Sequence, residues 1–196
     1  MPAFRSVPDD DQLDEALAAA SQGEEWGLVA LYRWAHPPLV RYLAGRAGDE
    51  AKDLASEVWL EASRRLADFQ GGAQDFRRFL FAVAHRRSID RLRRQGRRRT
   101  EPTVATALEA VASDATVEEL VLDRISAEEA TALISALLPD DQAEVVLLRV
   151  VAGLSVAEVA EVVGRRPAAV SVIQHRALRR LARSLQDSPA LQRYRS

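Results

Sequence analysis

Asp53, Glu57 and Glu61 stand at i, i+4 and i+8, a spacing that puts all three carboxylates on one face if the segment is helical. Paired carboxylates can do general acid–base chemistry. The partners of such chemistry are missing from the sequence. His36, His85 and His175 are scattered, and there is no His-rich metal spacing, no Gly-rich phosphate loop and no nucleophile elbow. With no cysteine, disulfides, thiolate zinc sites and cysteine nucleophiles are all excluded. The expectation is a protein that is not an enzyme and holds neither cofactor nor metal. The acidic stripe reads as a solvated face or a face that docks another protein.

A second constellation is cationic. From His85 to Arg99 the chain carries eight arginines and one acid, Asp90. At helical spacing Ile89 and Leu92 point inward and most of the arginines outward, a stripe suited to a phosphate backbone. Just before it lie Phe69, Phe76, Phe79 and Phe81, with the polar loop 70–75 among them. Aromatics beside arginine can stack on unpaired bases, although core packing is the expectation for Phe76 and Phe79. A third pattern runs from Gly153 to Val170. Ser155 followed by Glu158 has capping-box spacing, Ala160 is small enough for close helix approach, and Gly164 makes a turn before a longer helix. Val156, Val159, Val163, Val170 and Ile173 would fill the core of this helix-turn-helix. Arg176, Arg179, Arg180 and Arg183 follow on its second helix.

These side chains need helices to hold them. Ala, Leu, Glu and Arg dominate, and no stretch shows strand alternation. Apolar periodicity predicts helix over 24–47, with a kink or break at Pro37-Pro38, then over 49–67 and 75–94. A second set is expected over 127–137, 140–152, 155–163 and 167–185. Pro139 and Pro167 sit at helix starts, where proline is tolerated. Residues 100–126 read as a linker, with a short helix near 117–125. The expected architecture is all-α, with two small helical domains, 24–99 and 127–185, joined by a flexible acidic linker at 100–126. An N-terminal extension or first helix (1–23) and a C-terminal tail (186–196) flank them.

The net charge of −2 hides a blocky distribution. Residues 1–63 carry −7, 64–99 carry +9, 100–144 carry −10 and 145–196 carry +6. Both positive blocks coincide with the units that could bind nucleic acid, which points to partners rather than to fold. Near-neutrality of the whole chain predicts weak DNA binding by the unpartnered protein. No apolar run reaches about 18 residues, and Met1–Glu15 lacks a signal pattern. The expectation is therefore a cytoplasmic chain without membrane insertion.

Taken in order, these segments resemble the extracytoplasmic-function group of the sigma-70 family of bacterial RNA polymerase sigma factors. Asp53-Leu54-Ala55-Ser56-Glu57-Val58-Trp59 is similar to that family's DLxQExF segment, with Ser56 and Trp59 as departures. Residues 76–94, Phe76-Arg77-Arg78-Phe79-Leu80 through Arg94, are similar to FRxWLxxIAxNxxxDxxRR, with Arg86 at the Asn position. Leu138-Pro139 through Arg183 resembles the −35-binding domain, with Ser171 where a basic residue often stands.

The resemblance implies a subunit that binds core polymerase and directs promoter-specific initiation. Asp53, Leu54, Glu57, Val58, Trp59 and Glu61 would dock on the β′ clamp helices, and the polymerase β flap would be a further contact. Gln70, Gly71, Gly72, Gln74, Arg77, Arg86, Arg87, Asp90, Arg91, Arg93, Arg94, Arg97 and Arg98 would recognise and melt the −10 element, the loop capturing a flipped base. Arg165, Arg166, Pro167, Ser171, Gln174, His175, Arg176, Arg179 and Arg180 would face the −35 element. The acidic linker, with six acids against Arg124, would lie along the polymerase channel. An anti-sigma factor would be the off-state partner. The alternatives from other classes are a helix-turn-helix regulator that never joins polymerase, and a nucleic-acid-binding adaptor using the 86–99 stripe.

Overall fold

The computed structural model describes residues 9–96 and 127–187, and all regular structure among them is helical. The first helix, α1 (Asp10–Ser21), starts at a capping box. The Asp9 carboxylate accepts from the Gln12 backbone N–H at 2.9 Å, and the Gln12 side chain accepts from the Asp9 N–H at 3.3 Å. Leu13, Ala16, Leu17 and Ala20 form its buried face. That face meets α2 (Glu25–Ala47) at Gly27, where a Cβ would come within 2.6 Å of the Ala20 backbone nitrogen. Of the stretch expected as an N-terminal extension or first helix, Asp10–Ser21 is thus a helix packed into the first unit, and residues 1–8 lie outside the described residues.

In α2 the expected break at Pro37-Pro38 does not occur. The helix runs unbroken through both prolines. An interior proline forfeits a backbone hydrogen bond at a cost of ~3 kcal/mol. Leu31, Ala35, Leu39, Tyr42 and Leu43 form a fully buried stripe spanning both sides of the proline pair. Each large member contributes ~1.5–3 kcal/mol, so tertiary packing outweighs the local defect.

Short 3-10 turns, Gly48–Glu50 and Leu66–Asp68, bracket α3 (Ala51–Arg65). The chain then enters α4 (Ala73–Gly96), which carries Phe76, Leu80, Phe81, Val83 and Ala84 into the core. Tyr42 and Phe81 meet edge to face at 5.5 Å.

The second set comprises α5 (Ala127–Leu137), α6 (Asp140–Val150), α7 (Val156–Val163) and α8 (Pro167–Asp187). Leu138, Ala143, Val146 and Ala177 make a small core of its own. The two units do not stand apart. Val145, Leu147, Leu148, Leu154 and Val159 join the same apolar cluster as Leu31, Tyr42, Leu43 and Leu80. α2 packs on α5 and α6, and α4 packs on α7. Residues 97–126, which hold Arg97, Arg98, the acidic linker and its expected short helix, lie outside the described residues, as does the tail from 188.

Candidate nucleic-acid interface

On α3 the acidic stripe forms as its spacing requires, but it is not a bare anionic face. Glu61 meets Arg86 at 2.5 Å and Arg87 at 2.9 Å, and Glu57 meets Arg87 at 2.9 Å. One helix turn on, Arg91 pairs with Glu50. The Arg87 hydrogen bond holds the Glu61 carboxyl below its ordinary range; partial burial opposes this and Arg86 adds to it. The same Glu61 contact raises Arg87. Acidic α3 and basic α4 therefore zip together along one edge. The two stripes, expected to serve separate partners, thus touch each other.

Leu54, Val58 and Trp59, expected among the docking residues, are in the core. Trp59 packs on Tyr32 and Phe76 at 5.0 and 6.2 Å. As apolar residues at i, i+4 and i+5 they form the inner face of α3, so their main duty is to hold the stripe in place. Asp53, Glu57 and the apolar Leu60 are exposed beside one another on its outer face. Leu60 was not among the expected docking residues.

The loop 70–72 and the first turn of α4 are tied down by α1 and by Asp75. Asp14 accepts from the Ala73 N–H at 2.6 Å, Asp10 from the Gln74 side-chain amide at 2.8 Å, and Asp75 from the Gly72 N–H at 3.1 Å. Gly71 has φ +127°, a conformation that suits glycine. Gln70, Gly71 and Gln74 remain exposed. Phe76 is buried, whereas Phe69 and Phe79 pack at 5.8 Å at the edge of a 490 Å³ cavity, with Arg65 over the Phe79 ring. That cavity is also lined by Gln70, Arg78 and Arg86, and on its far side by Glu161 and Val162 of α7. Arg86 and Arg94 are exposed, with Asp90 and Arg93 on the same outward side. Arg77 points elsewhere. It lies over Trp34 at 5.1 Å, beside the Gly153 turn, and burial lowers its pKa.

The helix-turn-helix is built as its sequence indicates. Ser155 accepts from the Glu158 N–H at 3.2 Å and donates its own N–H to the Glu158 carboxylate at 2.7 Å. Gly164 is left-handed at φ 65°, ψ 37°, and the Arg165 N–H closes the turn on the Ala160 carbonyl at 2.9 Å. Val159, Ala160 and Val170 are buried between the helices. Arg165, Arg166, Pro167, Ser171, His175, Arg176 and Arg179 all face solvent around the start of α8. Two expected members have structural duties as well. Gln174 accepts from Arg149 at 3.3 Å, and Arg180 donates to the Leu137 carbonyl at the end of α5 at 3.1 Å.

Among the described residues no group of side chains could hold a metal ion, and no helix is long and apolar enough to cross a membrane. Two family models match in the same chain order as the two units, Sigma-70 region 2 over residues 31–98 and Sigma-70 region 4 over residues 129–181. The chain is 34% identical to the ECF RNA polymerase sigma factor SigD of Mycobacterium tuberculosis over 87% of its length and 82% of that protein's. It is also 34% identical to the ECF RNA polymerase sigma factor BldN of Streptomyces coelicolor, over 91% and 68% respectively. A solved structure of CnrH in complex with the cytosolic domain of CnrY superposes with a TM-score of 0.59 at 22% identity, covering 90% of this chain and 99% of that one, a likeness of fold.

Proposed function

This chain belongs to the extracytoplasmic-function group of the sigma-70 family, and from that membership and the geometry above we propose how its surfaces divide the work of a sigma factor. The function itself, binding RNA polymerase and directing initiation at promoters, follows from the family. The plain helix-turn-helix regulator is not favoured, because the region 2 match accounts for the entire 31–98 unit that such a regulator would not need.

In the proposed division, the outer face of α3, Asp53, Glu57 and Leu60 with Glu61 at its edge, docks on the β′ clamp helices. Burial of Leu60, 54% exposed here, supplies apolar contact, and the acids supply orientation. Arg86, Arg91, Arg93 and Arg94 hold the −10 backbone, and the α1-anchored segment 70–74 receives an unstacked base. Extruding a base costs a few kcal/mol, which the pocket contacts offset. The exposed start of α8 enters the −35 major groove. There Arg176 and Arg179 hold phosphates, while Ser171 and His175 reach base edges. The acidic linker threads the polymerase channel, an anti-sigma factor holds the off state, the site of action is the cytoplasm, and no catalytic chemistry is performed by this chain itself.

The observation that carries this reading is the joint presence, in order, of a region 2 unit with an exposed acidic docking face and a region 4 helix-turn-helix with an exposed arginine-rich face. The division of surfaces is tested by pull-down of core polymerase. Asp53→Arg is expected to abolish capture while leaving the helical circular dichroism intact. Arg176→Ala with Arg179→Ala is expected to leave capture unchanged and weaken −35 DNA binding. Undiminished capture by Asp53→Arg would contradict the docking assignment.

A further inference from the structure

The segment proposed to receive the unstacked base is held from outside itself. The region 2 match begins at residue 31, so α1 lies ahead of it. Neither docking nor DNA contact has been assigned to α1. Yet α1 grips the segment at both ends. It packs on the Leu66–Asp68 turn that leads in and on the start of α4 that leads out. Its own place is set by the core, where Leu13, Ala16 and Leu17 are buried and the close approach at Gly27 registers α1 on α2.

The grip is a helix cap made in trans. The Phe76 N–H donates to the Gly72 carbonyl at 2.9 Å, so Gly72 stands at the N-cap of α4. Glycine has no side chain with which to accept from the first-turn N–H groups. Asp75, three residues on, supplies half of a capping box by accepting from the Gly72 N–H at 3.1 Å. Asp14 of α1 supplies a missing acceptor, taking the Ala73 N–H at 2.6 Å. Its carboxylate also lies at the positive end of the α4 dipole. One turn earlier on the same face of α1, Asp10 accepts from the Gln74 side-chain amide at 2.8 Å. Asp14 fits because residue 72 is glycine. A Cβ there would come within 2.9 Å of Asp14 Oδ1.

Carboxylates beside a nucleic-acid face oppose phosphate through their charge. Their benefit must therefore lie in position. A segment that has to be ordered on binding costs affinity, and one ordered beforehand does not. The segment matters to the pocket, since Gln70 and its neighbour Phe69 line the 490 Å³ cavity with Phe79 and Arg86.

We propose that Asp14 is a positioning residue for promoter opening, which caps α4 in trans and so holds residues 70–72 ready for the unstacked base. α1 is then a working part of the −10 unit, although Asp14 itself touches no DNA. The proposal rests on the base-receiving role given to this segment above.

The test uses the holoenzyme and single strands from the −10 region of a promoter that it opens. An abasic site scanned along each strand locates the captured base as the position where the wild type loses most affinity. Asp14 is exposed, so Asp14→Ala leaves the core untouched, which helical circular dichroism checks. The variant should capture core polymerase as the wild type does. It should bind the intact strand about fivefold more weakly, the scale on which a lost cap is felt. On the strand lacking the captured base, variant and wild type should bind alike. Asp14→Asn keeps an acceptor oxygen and should stay within about twofold of the wild type. Gly72→Ala crowds the carboxylate and should reproduce the loss, and joining it to Asp14→Ala should add nothing.

An equal loss on intact and abasic strands would leave Asp14 a merely structural residue. Tighter binding by Asp14→Ala would make it a repelling charge. Either result would overturn the proposal, as would full additivity with Gly72→Ala. If no abasic position weakens the wild type, the base-receiving assignment itself falls and takes this proposal with it.

Discussion

Glu61 shows how one residue's role depends on neighbours the local sequence does not reveal. Its spacing with Asp53 and Glu57 was legible; its pairing with Arg86 and Arg87, 25 and 26 positions later, was not. Because Arg87 depresses the Glu61 pKa, a carboxyl-resolved NMR titration should place Glu61 below the ordinary value of ~4.3. Arg87→Ala should return it towards that value, and no movement would remove the pairing. The sign for stability follows. A depressed folded pKa gives a contribution fully present above the unfolded pKa and lost as pH falls through the folded one, so the Glu61 contribution is complete and pH-independent near neutrality and is lost on acidification. Glu144 titrates in the same sense. Burial raises its pKa, but the hydrogen bond from His85, the Arg46 charge and Tyr42 together hold it below the usual carboxylate range. Tyr42→Phe deletes a buried hydrogen bond to a charged acceptor and should cost about 1.5–3 kcal/mol in denaturant unfolding. A cost near zero would show that the hydroxyl contributes nothing to the cluster.

At the scale of elements the sequence was most readable where a local rule suffices. The Ser155–Glu158 box and the Gly164 turn lie where their residue types place them, because capping and left-handed turns are decided within a few residues. Ser155→Ala should cost about 1 kcal/mol, within a range of about 0.5–2. It should lower the melting temperature and loosen the presentation of α8 to −35 DNA. A melting temperature unmoved by the substitution would mean that packing of Val159 and Ala160 alone sets α7. Reading failed where tertiary packing overrides local preference. Pro37-Pro38 carries a strong breaking signal, yet the helix continues because its buried stripe spans the pair. The docking motif misled in another way. Its apolar letters Leu54, Val58 and Trp59 mark the inner face of α3, and only its polar letters mark the surface.

For the whole molecule, the four charge blocks pointed to two nucleic-acid-facing units separated by an acidic stretch, and both units are present. That they lie against each other could not be read, because the contacts that join them link residues as far apart as Tyr42 and Glu144 and leave no periodic trace. The positive blocks should govern the ionic response. Arg179→Ala in the holoenzyme should weaken promoter binding about equally across −35 sequences and reduce the slope of log affinity against log salt by about 1. A loss confined to some sequences would make Arg179 a base-reading residue. The most direct measurement of the central claim is transcription in vitro with core polymerase and a promoter library. The wild-type chain should initiate at a subset of promoters that core alone does not use, and Asp53→Arg should abolish that initiation. Active core that gains no initiation on addition of this chain would contradict the account.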